Sequence, residues 1–174
     1  MELLKIYNDH NESTNELVDR DIVHTKGLWH HEILIIVINE KNEILLQKRS
    51  WKRKYYPGKW ALCAGHVVGK EREYTAAIRE LDEEVGLKVT KADLEFIGIH
   101  KKNDPTNKKF SYIYITRTNK KIDEYKIQET ELSALKYVPI NKLIRLTKAN
   151  DKTLAFHGDK FHLDLFTNIK KNII

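Results

Sequence analysis

Between Gly65 and Leu87 the chain reads GHVVGKEREYTAAIRELDEEVGL, and this stretch restricts the fold more than any other. Tyr74, Ala77, Ile78, Leu81 and Val85 recur at intervals of three and four, which predicts a helix over about residues 72–85 with one apolar face turned inward. Gly86, just past the last periodic residue, suits the left-handed conformation that ends a helix. Glu80, Glu83 and Glu84 stand at i, i+3 and i+4, so their side chains project together from one patch away from the apolar stripe. Like charges so spaced cost about 0.2–0.5 kcal/mol per pair even when exposed. A solubilising surface helix tolerates that cost, but two features point to a shared cation instead. Arg79 lies four residues before Glu83 and can reach it or Glu71 with a planar fork of donors. Gly65 and Gly69 flank an irregular apolar loop, Val67-Val68, that a plain amphipathic helix does not require. Clustered carboxylates beside a glycine-bearing loop are what a hard divalent ion needs, and Mg2+ in particular completes its octahedron with substrate phosphates and water.

Around this helix the pattern is that of strands. Ile33 to Ile38 and Ile44 to Lys48 are aliphatic runs separated by the polar turn Asn39-Glu40-Lys41-Asn42, which predicts a hairpin. Leu94 to Ile99, Phe110 to Ile115 and Leu135 to Val138 are further expected strands, with the polar 101–109 segment as a loop between two of them. Two late helices are expected, near Ile140 to Leu146 and near Lys160 to Lys171. Strands first, a helix between strands and helices last make an α+β protein whose mixed sheet is covered by helices.

A length of 174 residues with 41% hydrophobic content suits one well-buried core, and no linker or repeat divides the sequence, so residues 1–174 are expected to form a single domain. The most apolar run is strand-sized, and the N-terminus lacks the apolar region of a signal peptide; a single cysteine, Cys63, leaves no disulfide framework. A cytoplasmic protein without a membrane partner is the expectation. Net charge is +6, from 31 Lys and Arg against 25 Asp and Glu, and basic residues gather from Lys48 to Lys54 and at Lys101-Lys102 and Lys108-Lys109. Phosphate-bearing partners are favoured. Basic residues beside Trp and Tyr suit a nucleic acid, and a small diphosphate suits the charge equally.

The spacing also resembles that of a known family. Gly65, five residues, Glu71, seven residues, then Arg79-Glu80-Leu81-x-Glu83-Glu84-x-Gly86-Leu87 is similar to the Nudix box at every specified position. The resemblance implies the Nudix fold, an α/β/α sandwich with a mixed sheet and a catalytic loop-helix-loop. It also implies hydrolysis, dependent on Mg2+ or Mn2+, of a diphosphate joined to another moiety, with a nucleoside diphosphate derivative or related organic diphosphate as substrate. By the same resemblance Glu80, Glu83, Glu84 and the backbone carbonyl of Ala64 are metal ligands, Arg79 orients the carboxylates and Glu71 pairs with Arg79. Glu83 is the expected general base, and Glu131, or its neighbour Glu129, is second. Arg49 and Lys54 are candidates for phosphate contact, and Trp60 packs either beside the site or in the core. A small-molecule diphosphate is the expected partner, nucleic acid is not expected because a binding relic has no use for clustered anions, and a homodimer is a candidate assembly.

Within the family, His24, Leu28-Trp29-His30, Leu45-Leu46-Gln47-Lys48-Arg49-Ser50 and Gly65-His66-Val67 look closest to the branch that includes isopentenyl-diphosphate isomerase. That resemblance makes His24, His30 and His66 a candidate second metal site. The isomerase carries a cysteine immediately before its Gly-His pair; here the residue is Ala64, and Cys63, one position earlier, points to the other face of a strand and reads as a small buried hydrophobe. Isomerase-type proton transfer and a non-catalytic RNA-binding module are the alternatives to hydrolysis.

Overall fold

The apolar run after Trp29 extends further than its aliphatic stretch. In a computed structural model, which describes residues 2–172, it forms a nine-residue strand in which every residue except Glu32 is buried. In chain order the elements are β1 (Leu3–Tyr7), β2 (Ser13–Asp19), α1 (Arg20–Lys26), β3 (His30–Ile38), β4 (Glu43–Arg49), β5 (Trp60–Ala61) and β6 (Cys63–His66). There follow α2 (Glu73–Val85), β7 (Glu95–Asp104), β8 (Asn107–Arg117), β9 (Leu132–Pro139), α3 (Ile140–Lys148) and α4 (Lys160–Asn172). The architecture is α+β with a mixed sheet, as the run of strands and helices in the sequence predicts. Two compact units organise the chain, each assembled from separate stretches. The first takes the chain up to Ile35, Ala64–Asp82 and Lys88–Thr116; the second takes Ile36–Cys63, Glu83–Leu87 and the chain from Arg117 on.

In the first unit, β1 and β2 form an antiparallel hairpin, with Leu4 opposite Val18. α1 follows at once because the Asp19 side chain accepts the Asp21 N–H at 3.0 Å and caps its first turn. Leu4, Ile6 and Val23 are buried together, with Val18, Leu28 and Val68 packed against them. The Gly69 N–H donates to the Leu3 carbonyl at 2.8 Å, so this hairpin supports the loop that leads into α2. β8 lies beside β3 and β7 beside β8, while β6 pairs with β3. The β7–β8 ladder runs antiparallel through Lys101 opposite Phe110 to Asp104 opposite Asn107. The polar 101–109 segment is therefore not a loop: the strands continue through it and turn at Pro105-Thr106. Backbone pairing carries the hairpin past the end of the core, where the side chains need not be apolar.

The second unit is organised on β4, which pairs antiparallel with β9 along its whole length and with β5 near its end. α3 and α4 bury Ile140, Leu143, Leu165, Phe166 and Ile169, each such side chain contributing about 1.5–3 kcal/mol relative to exposure. The end of α2 is closed here. Gly86 takes φ 62°, the Lys126 and Gln128 N–H groups donate to the carbonyls of Val85 and Glu84, and the Lys120 ammonium donates to the Gly86 carbonyl at 2.7 Å. These donors fill acceptors that a helix terminus leaves open, and Lys120 places a cation at the negative end of the helix.

Candidate active site and histidine cluster

α2 buries Ala77, Leu81 and Val85 of the periodic face, with Ala76 beside them and Tyr74 and Ile78 half-buried, and so turns its carboxylates to one flank. The backbone of β6 lies directly against the first of them. A Cβ at Gly65 would stand 2.2 Å from both Cδ and Oε1 of Glu80, so only glycine permits this approach. Arg79 then ties the carboxylate to the loop. Its Nη1 donates to Glu80 Oε1 at 2.8 Å, its Nη2 to Glu71 Oε1 at 2.8 Å and to the His66 carbonyl at 3.1 Å, and its Nε to Glu71 Oε2 at 3.3 Å. Burial disfavours the charge on Arg79, but the bonds to Glu71 and Glu80 outweigh it and raise the pKa. Glu71 also accepts the Val68 N–H at 2.7 Å, which fixes the loop before the helix.

Glu84 is 5% exposed, and Gln47 Nε2 donates to its Oε2 at 3.1 Å. The same glutamine accepts the buried Cys63 thiol at 3.3 Å, so Cys63 is a small buried side chain turned toward β4. Glu83 is exposed. One helix thus presents an oriented carboxylate, a buried one and a solvent-exposed one. The donors on this ridge are all oxygens, which suits a hard divalent ion, and the backbone of β6 at Gly65 lies against the first carboxylate. Those residues fit Mg2+ or Mn2+.

The three histidines converge. One ring nitrogen each of His24, His30 and His66 lies within 4.8 Å of the others, and the Nε2 atoms of His24 and His66 are 3.2 Å apart. His30 Nδ1 donates to the Leu28 carbonyl at 3.0 Å, while its Nε2 is buried with no hydrogen-bond partner among the described residues. His66 Nδ1 stands 3.4 Å from Glu2. Backing one ring nitrogen with a carbonyl or carboxylate leaves the other free to ligate, as in metal-bound imidazoles. Burial pushes the His30 pKa down to about 4, with the Leu28 carbonyl opposing and His66 and His24 adding; burial likewise lowers His24. Neutral rings, ready to donate lone pairs, are the result.

The remaining sequence candidates are dispersed. Arg49 Nε donates to the Tyr55 carbonyl at 2.8 Å, the Lys54 ammonium lies 5.3 Å from the Tyr55 ring centre, and Glu131 pairs with Arg53 at 2.7 Å. Trp60 sits opposite Lys48 in the β4–β5 register, whereas Gln47, the next residue on β4, reaches Glu84. Alternation along the strand therefore puts Trp60 on the face of β4 and β5 opposite to the one that meets Glu84. Sequence reasoning missed Gln47 and Glu2. Gln47 had a signal, a polar residue at an inward position of an aliphatic strand; Glu2 had none, because its partner is 64 positions away.

A sequence model of the NUDIX domain matches residues 28–157. The chain belongs to the Nudix family. Nudix hydrolase 3 of Arabidopsis thaliana is 31% identical over 138 residues, which cover 74% of this chain and 18% of that protein. Isopentenyl-diphosphate Delta-isomerase 2 of Photorhabdus laumondii subsp. laumondii is 30% identical over 145 residues, covering 82% of this chain and 80% of that one. The crystal structure of DR0079 from Deinococcus radiodurans superposes with a TM-score of 0.74 at 17% identity, covering 96% of this chain and 98% of the other, a likeness of fold. This Nudix chain thus spans less than a fifth of the first relative and most of the second. Among its described residues no helix is long and apolar enough to cross a membrane.

Proposed function

We propose that this Nudix chain hydrolyses a diphosphate linkage in a nucleoside diphosphate derivative or a related organic diphosphate, with Mg2+ or Mn2+ held by Glu80, Glu83, Glu84 and the Ala64 carbonyl. The observation that carries the reading is the closure of Gly65 on Glu80, with Arg79 bridging Glu80 and Glu71. A helix with a merely solubilising acidic face needs neither the missing Cβ nor the shared guanidinium. When bound, the ion neutralises charge developing on the diphosphate oxygens and lowers the pKa of an attacking water. Arg79 holds Glu80 in one orientation and Glu71 holds Arg79, so both are positioning residues. Glu83, the exposed carboxylate of the ridge, accepts the proton of the water in this reading. Glu131, whose carboxylate pairs with Arg53, is the second candidate. Arg49 is the candidate phosphate contact in this reading, whereas Lys54 lies on the loop beyond it, over the Tyr55 ring.

The converged histidines favour a second reading in part: His24, His30 and His66 hold a second divalent ion of the borderline kind that imidazole prefers. The isomerase-type reaction suggested by the name of the Photorhabdus relative is less well supported. Ala64 offers no thiol, and Cys63 is directed at Gln47. A screen of nucleoside diphosphate derivatives, dinucleoside polyphosphates and isoprenoid diphosphates with added Mg2+ tests the proposal. Phosphate or nucleoside monophosphate release that stops with chelator and in Glu83→Gln is expected. Conversion of isopentenyl diphosphate to its dimethylallyl isomer, without hydrolysis of any compound, would replace this reading with the isomerase one.

A further inference from the structure

We propose that the loop from Ser50 to Lys59, together with Lys48 and Lys136, is a binding surface for a single-stranded polynucleotide. Trp51, Tyr55 and Tyr56 are 72%, 54% and 52% exposed on this one loop, although large aromatic side chains favour burial. Lys52, Arg53 and Lys54 separate them. Arg53 is neutralised by Glu131, whereas no ion pair joins Lys48, Lys52, Lys54 or Lys136 to a carboxylate among the described residues. Exposed rings interleaved with unpaired ammonium groups match a strand whose bases stack and whose phosphates carry charge. A mononucleotide would use one ring and leave the others in water.

The loop is rigid enough to present these groups. Arg49 Nε donates to the Tyr55 carbonyl, the Gly58 N–H to the Arg49 carbonyl at 3.1 Å, the Lys59 N–H to the Tyr56 carbonyl at 3.2 Å and the Ser50 N–H to the Glu131 carbonyl at 2.7 Å. Trp51 lies on Gly58: a Cβ there would meet three indole carbons at 2.5–2.7 Å. One face of the indole therefore rests on backbone while most of the side chain remains in solvent, which is the form of a stacking platform.

Beside the platform, Lys48 and Lys136 converge on a second indole. Their ammonium groups lie 5.8 and 3.9 Å from the centre of the Trp60 ring, and that of Lys48 is 6.0 Å from the Trp51 ring. Burial lowers the pKa of Lys136, and the charges of Lys142 and Lys48 lower it further against a single opposing carboxylate, Asp151. A bridging phosphate relieves that repulsion. The register places Lys48, Trp60 and Lys136 on the face of β4 away from Glu84, so the surface is independent of the carboxylate ridge and does not rest on its proposed activity. The clustered anions that argue against nucleic acid in the sequence belong to the other face.

Fluorescence anisotropy of dye-labelled single-stranded RNA, and of DNA of the same sequence, about ten nucleotides long, tests the proposal in chelator, where metal-dependent turnover is silent. Binding of either strand that weakens as salt rises from about 50 to about 200 mM, with quenching of tryptophan fluorescence, is the expected result. Trp51→Ala should weaken it about tenfold, with Trp51→Phe restoring most of the loss. Lys48→Gln with Lys136→Gln should reduce the slope of log affinity against log salt by about 1.4, while Lys170→Gln leaves it unchanged. Absence of binding at low salt would overturn the proposal. So would equal binding of a duplex by a Trp51→Ala protein of unchanged melting temperature, which would make the loop a plain polyanion surface.

Discussion

The carboxylate ridge of α2 and the histidine cluster place ligand atoms together by opposite means. On the ridge, Glu80, Glu83 and Glu84 are neighbours because the helix makes them so, and their charges are managed by Arg79 and Gln47. In the cluster, His24 comes from α1, His30 from β3 and His66 from β6, and burial favours the neutral rings of His24 and His30. The first arrangement suits a hard ion that arrives with its phosphate-bearing substrate, and the second suits a resident ion held by nitrogen lone pairs. Charge organises one site; tertiary packing organises the other.

The difference can be broken at Glu83 first. Glu83→Gln keeps size and helix propensity but removes the open carboxylate, and kcat for Mg2+-dependent diphosphate hydrolysis should fall by about 10²–10⁴-fold. Loss of the same size in His66→Ala, with Glu83→Gln near wild type, would exchange the roles of the two regions. Gly65→Ala should come next. The added methyl displaces Glu80, and a fall in activity of about 100-fold is expected together with about 1–3 kcal/mol of destabilisation in a denaturant titration. Arg79→Lys should reduce activity by about 10–100-fold and raise the Mg2+ concentration needed for half-maximal rate, since an ammonium cannot bridge Glu80 and Glu71 as the planar fork does. A mutant that lost activity without changing its metal dependence would show that Arg79 acts in some other way.

Smaller effects sharpen the other half of the comparison. Zn2+ should raise the melting temperature of the wild-type protein by several degrees, corresponding to about 2.7 kcal/mol at a hundredfold excess over Kd. The increment should vanish in His66→Ala and survive in Glu83→Gln. Chelated protein should also show an acid dependence of its own. The pKa of His30 is depressed to about 4 in the folded state against an ordinary 6.5, so the unfolded chain binds the proton first. Its stabilising contribution is full above pH 6.5 and is lost as pH falls through that value to about 4. Melting temperatures across this window should decline less steeply in His30→Gln.

How much of this was legible in the sequence follows the same division. The helix from Glu73 to Val85, its stop at Gly86 and the pairing of Arg79 with Glu71 could be read because every partner lies within a few turns of the chain. The three central strands, β3, β4 and β8, could be read because burial imposes apolar residues on them. β1 and β2 were not anticipated: Ser13–Asp19 is exposed along most of its length, and nothing in its composition announces a partner. The hairpin through 101–109 is not legible in the sequence for a related reason, since its ladder outlasts its apolar side chains. The histidines were found only through resemblance to the isomerase branch, as no spacing rule joins positions 24, 30 and 66. The sequence leaves Trp60 either beside the candidate site or in the core, and strand alternation turns it to the face of β4 and β5 away from Glu84.

The central claim is that the ridge on α2 holds a divalent ion. Mn2+ titration followed by electron paramagnetic resonance, in a His66→Ala background that disables the histidine cluster, addresses it most directly. The account predicts bound Mn2+ that is lost when Glu80, Glu83 and Glu84 are all changed to Gln in a protein that still melts cooperatively. Unchanged Mn2+ binding in that folded triple variant would contradict it.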